Sequence, residues 1–205
     1  MANREIISKV TNAVLYSDGL IRIDNVRASY PHLDKPWSGE EGQEAKFSIV
    51  SLLDKGTHKA AKDLIVKRIN EILKENKTEK IASDKKFIRD GDQMAKPECE
   101  NQWVVSARET RRPSVRGSDN EVLTPDEILD TIYAGCYISV LIRPWFQNHA
   151  KFGKRVNAGL VAVRFRRDGE PIGEGRITDD DIDDYMDDDY DDHGGSSSAD
   201  DDDDL

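Results

Sequence analysis

Cysteine is scarce in this chain: Cys99 and Cys136 are the only two among 205 residues, far apart, with no CxxC and no histidine at ligand spacing. That excludes a disulfide framework and gives no zinc signature, so two free thiols are expected. Long apolar runs are missing too. Nowhere do eighteen apolar residues stand together, which excludes a membrane-spanning helix, and Arg4, Glu5 and Lys9 interrupt the first ten residues where a secretion signal would be apolar. A soluble intracellular protein is the expectation. Catalytic signatures are equally absent: His32, His58, His149 and His193 are scattered, and there is no HExxH, GxSxG or P-loop. Gly169, Gly173 and Gly175 lack the preceding strand and following helix of a phosphate cradle, and no calcium-loop spacing occurs. A protein without catalytic residues, cofactor or metal site is expected.

What is abundant is aspartate, and it is concentrated. Asp179 to Leu205 holds fifteen aspartates and no lysine, arginine or glutamate, ending in Asp200, Asp201, Asp202, Asp203, Asp204 and Leu205. Such a segment buries too little apolar surface to offset its ordering entropy, so residues 179–205 are expected to be a disordered acidic C-terminal tail. The whole chain is −11, with 41 acidic and 30 basic residues; without the tail the balance is 26 against 30, or +4. A mildly basic domain is therefore tethered to a polyanion. A basic body suits nucleic acid, and the tail is a built-in competitor for the same surface.

Residues 1–19 are read as an N-terminal arm and 20–178 as one domain, a size that buries a real core. Leu20 to Ala28 alternates as a strand ending at Tyr30-Pro31, and Pro36 to Gly42 reads as a loop. Ala45 to Leu53 is a second strand, with Phe47, Ile49, Ser51 and Leu53 on one face. Thr57 offers an N-cap to an amphipathic helix reaching about Lys77. Ser83 to Asn101 is turn-rich, Trp103 to Arg108 a short strand, and Glu109 to Glu121 a polar loop. Thr124-Pro125-Asp126-Glu127 carries a capping box opening a short helix. Cys136 to Phe146 and Val156 to Arg166 pair as a hairpin with a basic, aromatic tip. The class is mainly β with inserted helices (α+β), and strands arriving as hairpins fit a small barrel better than a layered βαβ sheet.

On the hairpin, Tyr137, Ser139, Leu141, Arg143 and Trp145 share one face; Val161, Val163 and Phe165 form an apolar row, with Ala162, Arg164 and Arg166 on the alternate face. Arginine mixed with aromatic rings suits a single strand of nucleic acid, whose bases stack while its phosphates meet cations. The same pattern also fits an ordinary solvated barrel surface. Candidate stacking platforms are Trp145, Tyr137, Phe152, Trp103 and Trp37. Candidate phosphate contacts are Arg143, Lys151, Lys154, Arg155, Arg164 and the arginines of the 108–116 segment, Arg108, Arg111, Arg112 and Arg116.

Several motifs occur together and in order: Asn25-Val26-Arg27-Ala28-Ser29-Tyr30-Pro31 with Lys35-Pro36, Lys46-Phe47-Ser48-Ile49, Tyr133-Ala134-Gly135-Cys136-Tyr137, and Gly153-Lys154-Arg155-Val156-Asn157-Ala158-Gly159-Leu160 with Asp168-Gly169-Glu170. Over most of residues 20–175 the chain resembles a family of bacteriophage single-stranded DNA-binding proteins. The resemblance implies an OB-fold barrel that coats unwound DNA in phage replication or recombination, in the cytoplasm of the infected host cell, and an acidic C-terminus that engages replication partners. It brings no catalytic residue. Many proteins of this type end in an aromatic residue after their acids, where this chain ends in Leu205, an aliphatic tip. Two other readings of the residues stay open: an RNA-binding OB module, and an acidic-tailed protein-interaction or chaperone protein.

Overall fold

Five strands of this chain close into a ring. The structure is a computed structural model that describes residues 4–39 and 42–173; the acidic tail and its candidate residues Asp200 to Leu205 lie outside the described residues. The strands are β1 (Ile6–Val10), β2 (Ala13–Tyr16), β3 (Ile21–Trp37), β4 (Lys46–Asp54), β5 (Ile88–Asp90), β6 (Gln102–Glu109), β7 (Ser114–Arg116), β8 (Tyr137–His149) and β9 (Gly153–Arg167). The helices are α1 (Lys59–Glu75) and α2 (Pro125–Thr131). β3 pairs with β4, β4 with β6, β6 with β9, β9 with β8 and β8 back with β3; only the β6–β9 contact is parallel. That is the closed five-stranded architecture of an OB-fold. The parallel seam is thin. β6 and β9 meet at one residue pair, Arg108 opposite Gly159, beside which Lys86 bridges Val156 and the Phe87 amide donates to the Val156 carbonyl at 3.0 Å.

Alternation fills the ring. Ile21, Ile23, Val26, Ile49, Leu53, Val105, Ala107, Ile138, Val140, Ile142, Leu160 and Val163 point inward and are buried. One face of α1, Ala61, Leu64, Ile65, Ile69, Ile72 and Leu73, adds to the same core. Burial of such side chains contributes about 1.5–3 kcal/mol each.

Local chemistry explains where the observed elements depart from the pattern. β3 does not stop at Tyr30-Pro31 but runs on to Trp37, because the chain bulges there: Tyr30 adopts φ 44° and the β3–β4 register shifts after Ser29. Pro31, which has no N–H to donate, is tolerated at that bulge. Thr57 does not cap α1. Its hydroxyl bonds Asp54 Oδ1 at 3.1 Å and His58 Nδ1 at 2.9 Å, so the cap position falls on His58 and no side chain caps the helix. The capping box of α2 is formed in both directions, and its hydrogen bonds hold the Glu127 carboxyl below the usual carboxylate range.

The polar loop 109–121 contains β7, which pairs in parallel with β9, and the turn-rich stretch 83–101 contains β5, paired with β6. Both are three residues long, too short to show a period. Residues 6–16, read as an arm, form the β1–β2 hairpin, and β2 joins the sheet beside β3. The expected row Val161, Val163, Phe165 is broken. Leu141 pairs with Ala162 but Ile142 with Leu160, so Val161 is an extra residue, and Leu160 and Val163 are both buried despite their odd spacing.

Candidate nucleic-acid interface

Directly paired residues share a face of a sheet, so the register alone assembles an outward row around the barrel. His32 pairs with Ser48, Ser48 with Arg108, Arg108 with Gly159 and Gly159 with Arg143. Two arginines thus flank a glycine at the seam, and the Glu109 carboxylate lies over that glycine, its Oε2 3.2 Å from where a side chain there would begin. The outer half of the β8–β9 hairpin continues the row: Trp145 pairs with Asn157 and Gln147 with Arg155, and Asn157 Nδ2 donates to Gln147 Oε1 at 2.7 Å.

These residues form one wall of a groove of about 680 Å³. The other wall comes from β4, β6, β5 and the segment before β5: Lys46, Asp84, Lys86, Phe87, Arg89, Ser106, Arg108 and Glu109. The β3–β4 loop, with Gln43 and Glu44, and the hairpin tip, with Phe152, close its ends. In OB-folds it is this face, strands two and three with the first and last inter-strand loops, that takes oligonucleotides. Trp145 is 46% exposed and Phe152 49%, large rings left in water beside cations. Phe152 stacks on His149, with 4.8 Å between centroids, and Lys151 Nζ lies 5.4 Å from its ring.

The cations here are available. Lys46 pairs with Glu44 at 3.4 Å and Arg155 donates to the Asp84 carbonyl at 3.4 Å, whereas among the described residues Lys86, Arg89, Arg108 and Arg143 form no ion pair. Glu109 is the acid nearest the seam, its Oε1 accepting from the Thr110 amide at 2.9 Å. His32, stacked on Trp37 at 4.8 Å and 6°, is held below its usual value by burial, with Asp34 opposing. The two free thiols are buried, and burial pushes Cys136 up to about 11.

Of the candidate residues, Trp145, Phe152, Arg108 and Arg155 line the groove and Arg143 stands beside it on the row; Lys151 is at the tip. Trp37 is 54% exposed and pairs with Lys46, with one ring face covered by His32. Arg112 is tied down next to it, donating to the Asp34 carbonyl at 2.8 Å with its guanidinium over Phe47, and Arg111 is exposed in the β6–β7 turn.

Other candidates lie elsewhere. Trp103 is at the far end of β6, packed on the core with Lys62 5.5 Å over its ring. Tyr137 is at the hairpin's base, about 26 Å along the strand from Trp145, covered by Arg167 at 3.4 Å. Lys154 faces away from Arg155 and donates to Thr78 Oγ1 at 3.1 Å. Arg116 and Arg164 pair with each other on β7 and β9. Lys46, Lys86, Arg89, Gln147 and Asn157 were not foreseen. The run Lys85-Lys86-Phe87-Ile88-Arg89, cations around an apolar pair, is the signal that marks part of that wall.

A protein-family model described as the single-stranded DNA-binding protein of Enterobacter phage Enc34 matches residues 20–193. Among solved structures, the single-stranded DNA-binding protein from bacteriophage Enc34 in complex with single-stranded DNA is 47% identical, over 84% of this chain and 100% of that one, with a TM-score of 0.78. A C-terminal truncation of the Enc34 protein is 48% identical, over 84% and 99%, at the same TM-score. The single-stranded DNA-binding protein gp2.5 of bacteriophage T7 shares the fold, at 12% identity and TM-score 0.53 over 77% of this chain and 96% of that one. No curated protein sequence matches the chain.

Proposed function

Because the chain belongs to the Enc34 family of phage single-stranded DNA-binding proteins, we propose that its groove holds a single strand of DNA without regard to sequence. Trp145 and Phe152 stack bases, while Lys86, Arg89, Arg108, Arg143 and Arg155 meet phosphates. The observation that carries this reading is the two exposed rings bordering cations that have no carboxylate partner among the described residues. Such a site binds by counterion release and by stacking, and neither depends on which base is present. The protein acts as a binder, not a catalyst.

Coating of unwound DNA in phage replication or recombination, in the cytoplasm of the infected host cell, follows from the same reading. The aspartates after Thr178 compete with DNA for the basic body, and the tail with Leu205 at its tip recruits replication or recombination proteins. The charge balance supports this, since the body is +4 and the tail carries fifteen negative charges.

The test is a titration with single-stranded and duplex oligonucleotides of both sugars at two salt concentrations, following tryptophan fluorescence. Quenching by single-stranded DNA that weakens with salt is the expected result. Equal or tighter binding of RNA makes the protein an RNA binder, and no binding to any polymer overturns the reading. Deleting Asp179 to Leu205 is expected to tighten DNA binding most at low salt; unchanged affinity there removes the competitive role of the tail.

A further inference from the structure

Arg116 and Arg164 lie directly opposite each other on β7 and β9, in parallel register and therefore on the same face. Like charges on facing positions repel, and among the described residues neither guanidinium reaches a carboxylate. Instead each gives one donor to the turn that follows β7. Arg116 Nη1 donates to the Asn120 carbonyl at 2.8 Å, and Arg164 Nη2 to the Ser118 carbonyl at 2.6 Å. Asp119 and Glu121 belong to that turn, but the Glu121 side chain folds over Gly117 and neither acid pairs with the two arginines.

Arg164 Nε is buried with no acceptor. A guanidinium has five donors, so the turn fixes two forks side by side and leaves most of their N–H groups for an acceptor from outside. A buried donor without a partner is costly to the protein, and an anion with several oxygens taken at the Nη groups offsets the repulsion between the two guanidinium groups.

The bulge at Val161 gives this pair its direction. Without the extra residue Arg164 would share the inward parity of Leu160; with it, Arg164 faces outward like Gly159, the residue between Arg108 and Arg143. Five residues separate Gly159 from Arg164, about 17 Å along β9.

We propose that Arg116 and Arg164 form a second phosphate-binding step outside the groove, reached by a strand that passes between Arg108 and Arg143 and continues along β9. The proposal rests on the groove being the site of single-stranded DNA. It implies that the protein occupies more nucleotides than the groove alone can hold.

The experiment compares full-length protein with Arg116→Gln, Arg164→Gln and Arg164→Lys, using thymidine oligonucleotides of about 6 and about 16 nucleotides, within the range of lengths that one OB-fold occupies. On the long strand, each glutamine variant is expected to bind more weakly and to lower the slope of log affinity against log salt by about 0.7. On the short strand both variants bind like the parent. Arg164→Lys keeps the charge and so the slope, which separates loss of a phosphate contact from damage to packing at the buried Nε.

Equal losses on both lengths overturn the second step, as do unchanged affinity and slope on the long strand. Trp145→Ala run alongside keeps the two readings distinct. If it weakens both lengths while the arginine variants weaken neither, the groove stands and the second step falls.

Discussion

Arginine and lysine serve two different ends in two regions of this barrel. In and just before α1 three of them are matched with acids: Arg68 with Glu71 and Glu75 at 3.2 and 2.9 Å, Lys55 with Asp90 and Asp92 at 2.5 and 2.6 Å, and Lys62 with Asp63 at 3.1 Å. These hydrogen bonds hold Lys55 above its usual value and Asp92 below its own. Along the groove and the β7–β9 ladder, Lys86, Arg89, Arg108, Arg143, Arg116 and Arg164 have no such partner among the described residues. The same residue types close a surface in one place and keep it open in the other. In the groove, cations without a carboxylate partner among the described residues stand beside the exposed rings of Trp145 and Phe152.

The largest effect tests the scaffold that both sides share. Ile142→Ala, at a fully buried position, is expected to destabilise the barrel by about 2–5 kcal/mol in denaturant unfolding, while the salt slope of whatever protein remains folded is unchanged. Trp145→Ala comes next, with a loss of about 1–3 kcal/mol in single-strand affinity and no change in unfolding midpoint. A stable variant that binds like the parent removes stacking from the interface.

Smaller effects divide the two classes of cation. Arg108→Gln is expected to lower the salt slope by about 0.7 with stability intact. Arg68→Gln, on the helix side, is expected to change stability by about 1 kcal/mol or less and the slope not at all; a slope change there erases the contrast. The smallest effect concerns pH. Between pH 7 and 9 affinity is expected to be flat, because the groove's cations are lysine and arginine and burial holds His32 below the ordinary histidine range. Acidification below the ordinary histidine range protonates His32, adding positive charge to the row and tightening binding by at most about one phosphate's share of the slope. Tightening that begins above pH 7 contradicts that environment.

How far the residues alone reveal this molecule depends on what each element answers to. β4, α1 and α2 answer to local patterns: alternation from Phe47 to Leu53, a three-to-four step from Ala61 to Leu73, and the Thr124–Glu127 box. They were legible. β5 and β7 exist because β6 and β9 offer edges to them, and nothing within three residues encodes a partner distant in sequence. The groove shows the same division. Trp145, Phe152 and Arg155 stand out on a hairpin visible in the sequence, whereas Lys86 and Arg89 reach the site only through the pairing of β5 and the bridge from Lys86 to Val156. Trp103 and Tyr137 look equally eligible in the sequence, and their cover by Lys62 and Arg167 becomes evident only in three dimensions.

The thin β6–β9 seam has a consequence for how the ring opens. Every other contact of the ring is a ladder of several residue pairs, but here one pair and a bridge hold the two edges. The least costly local opening therefore parts Arg108 from Gly159, beneath the groove itself. A strand held by Arg108 on one edge and by Arg143 and Trp145 on the other acts as a clasp across that gap. Amide hydrogens around Ala107 to Glu109 and Val156 to Leu160 should then exchange early in the free protein and show the greatest slowing once DNA is bound, with the polymer serving as the barrel's outermost fastening.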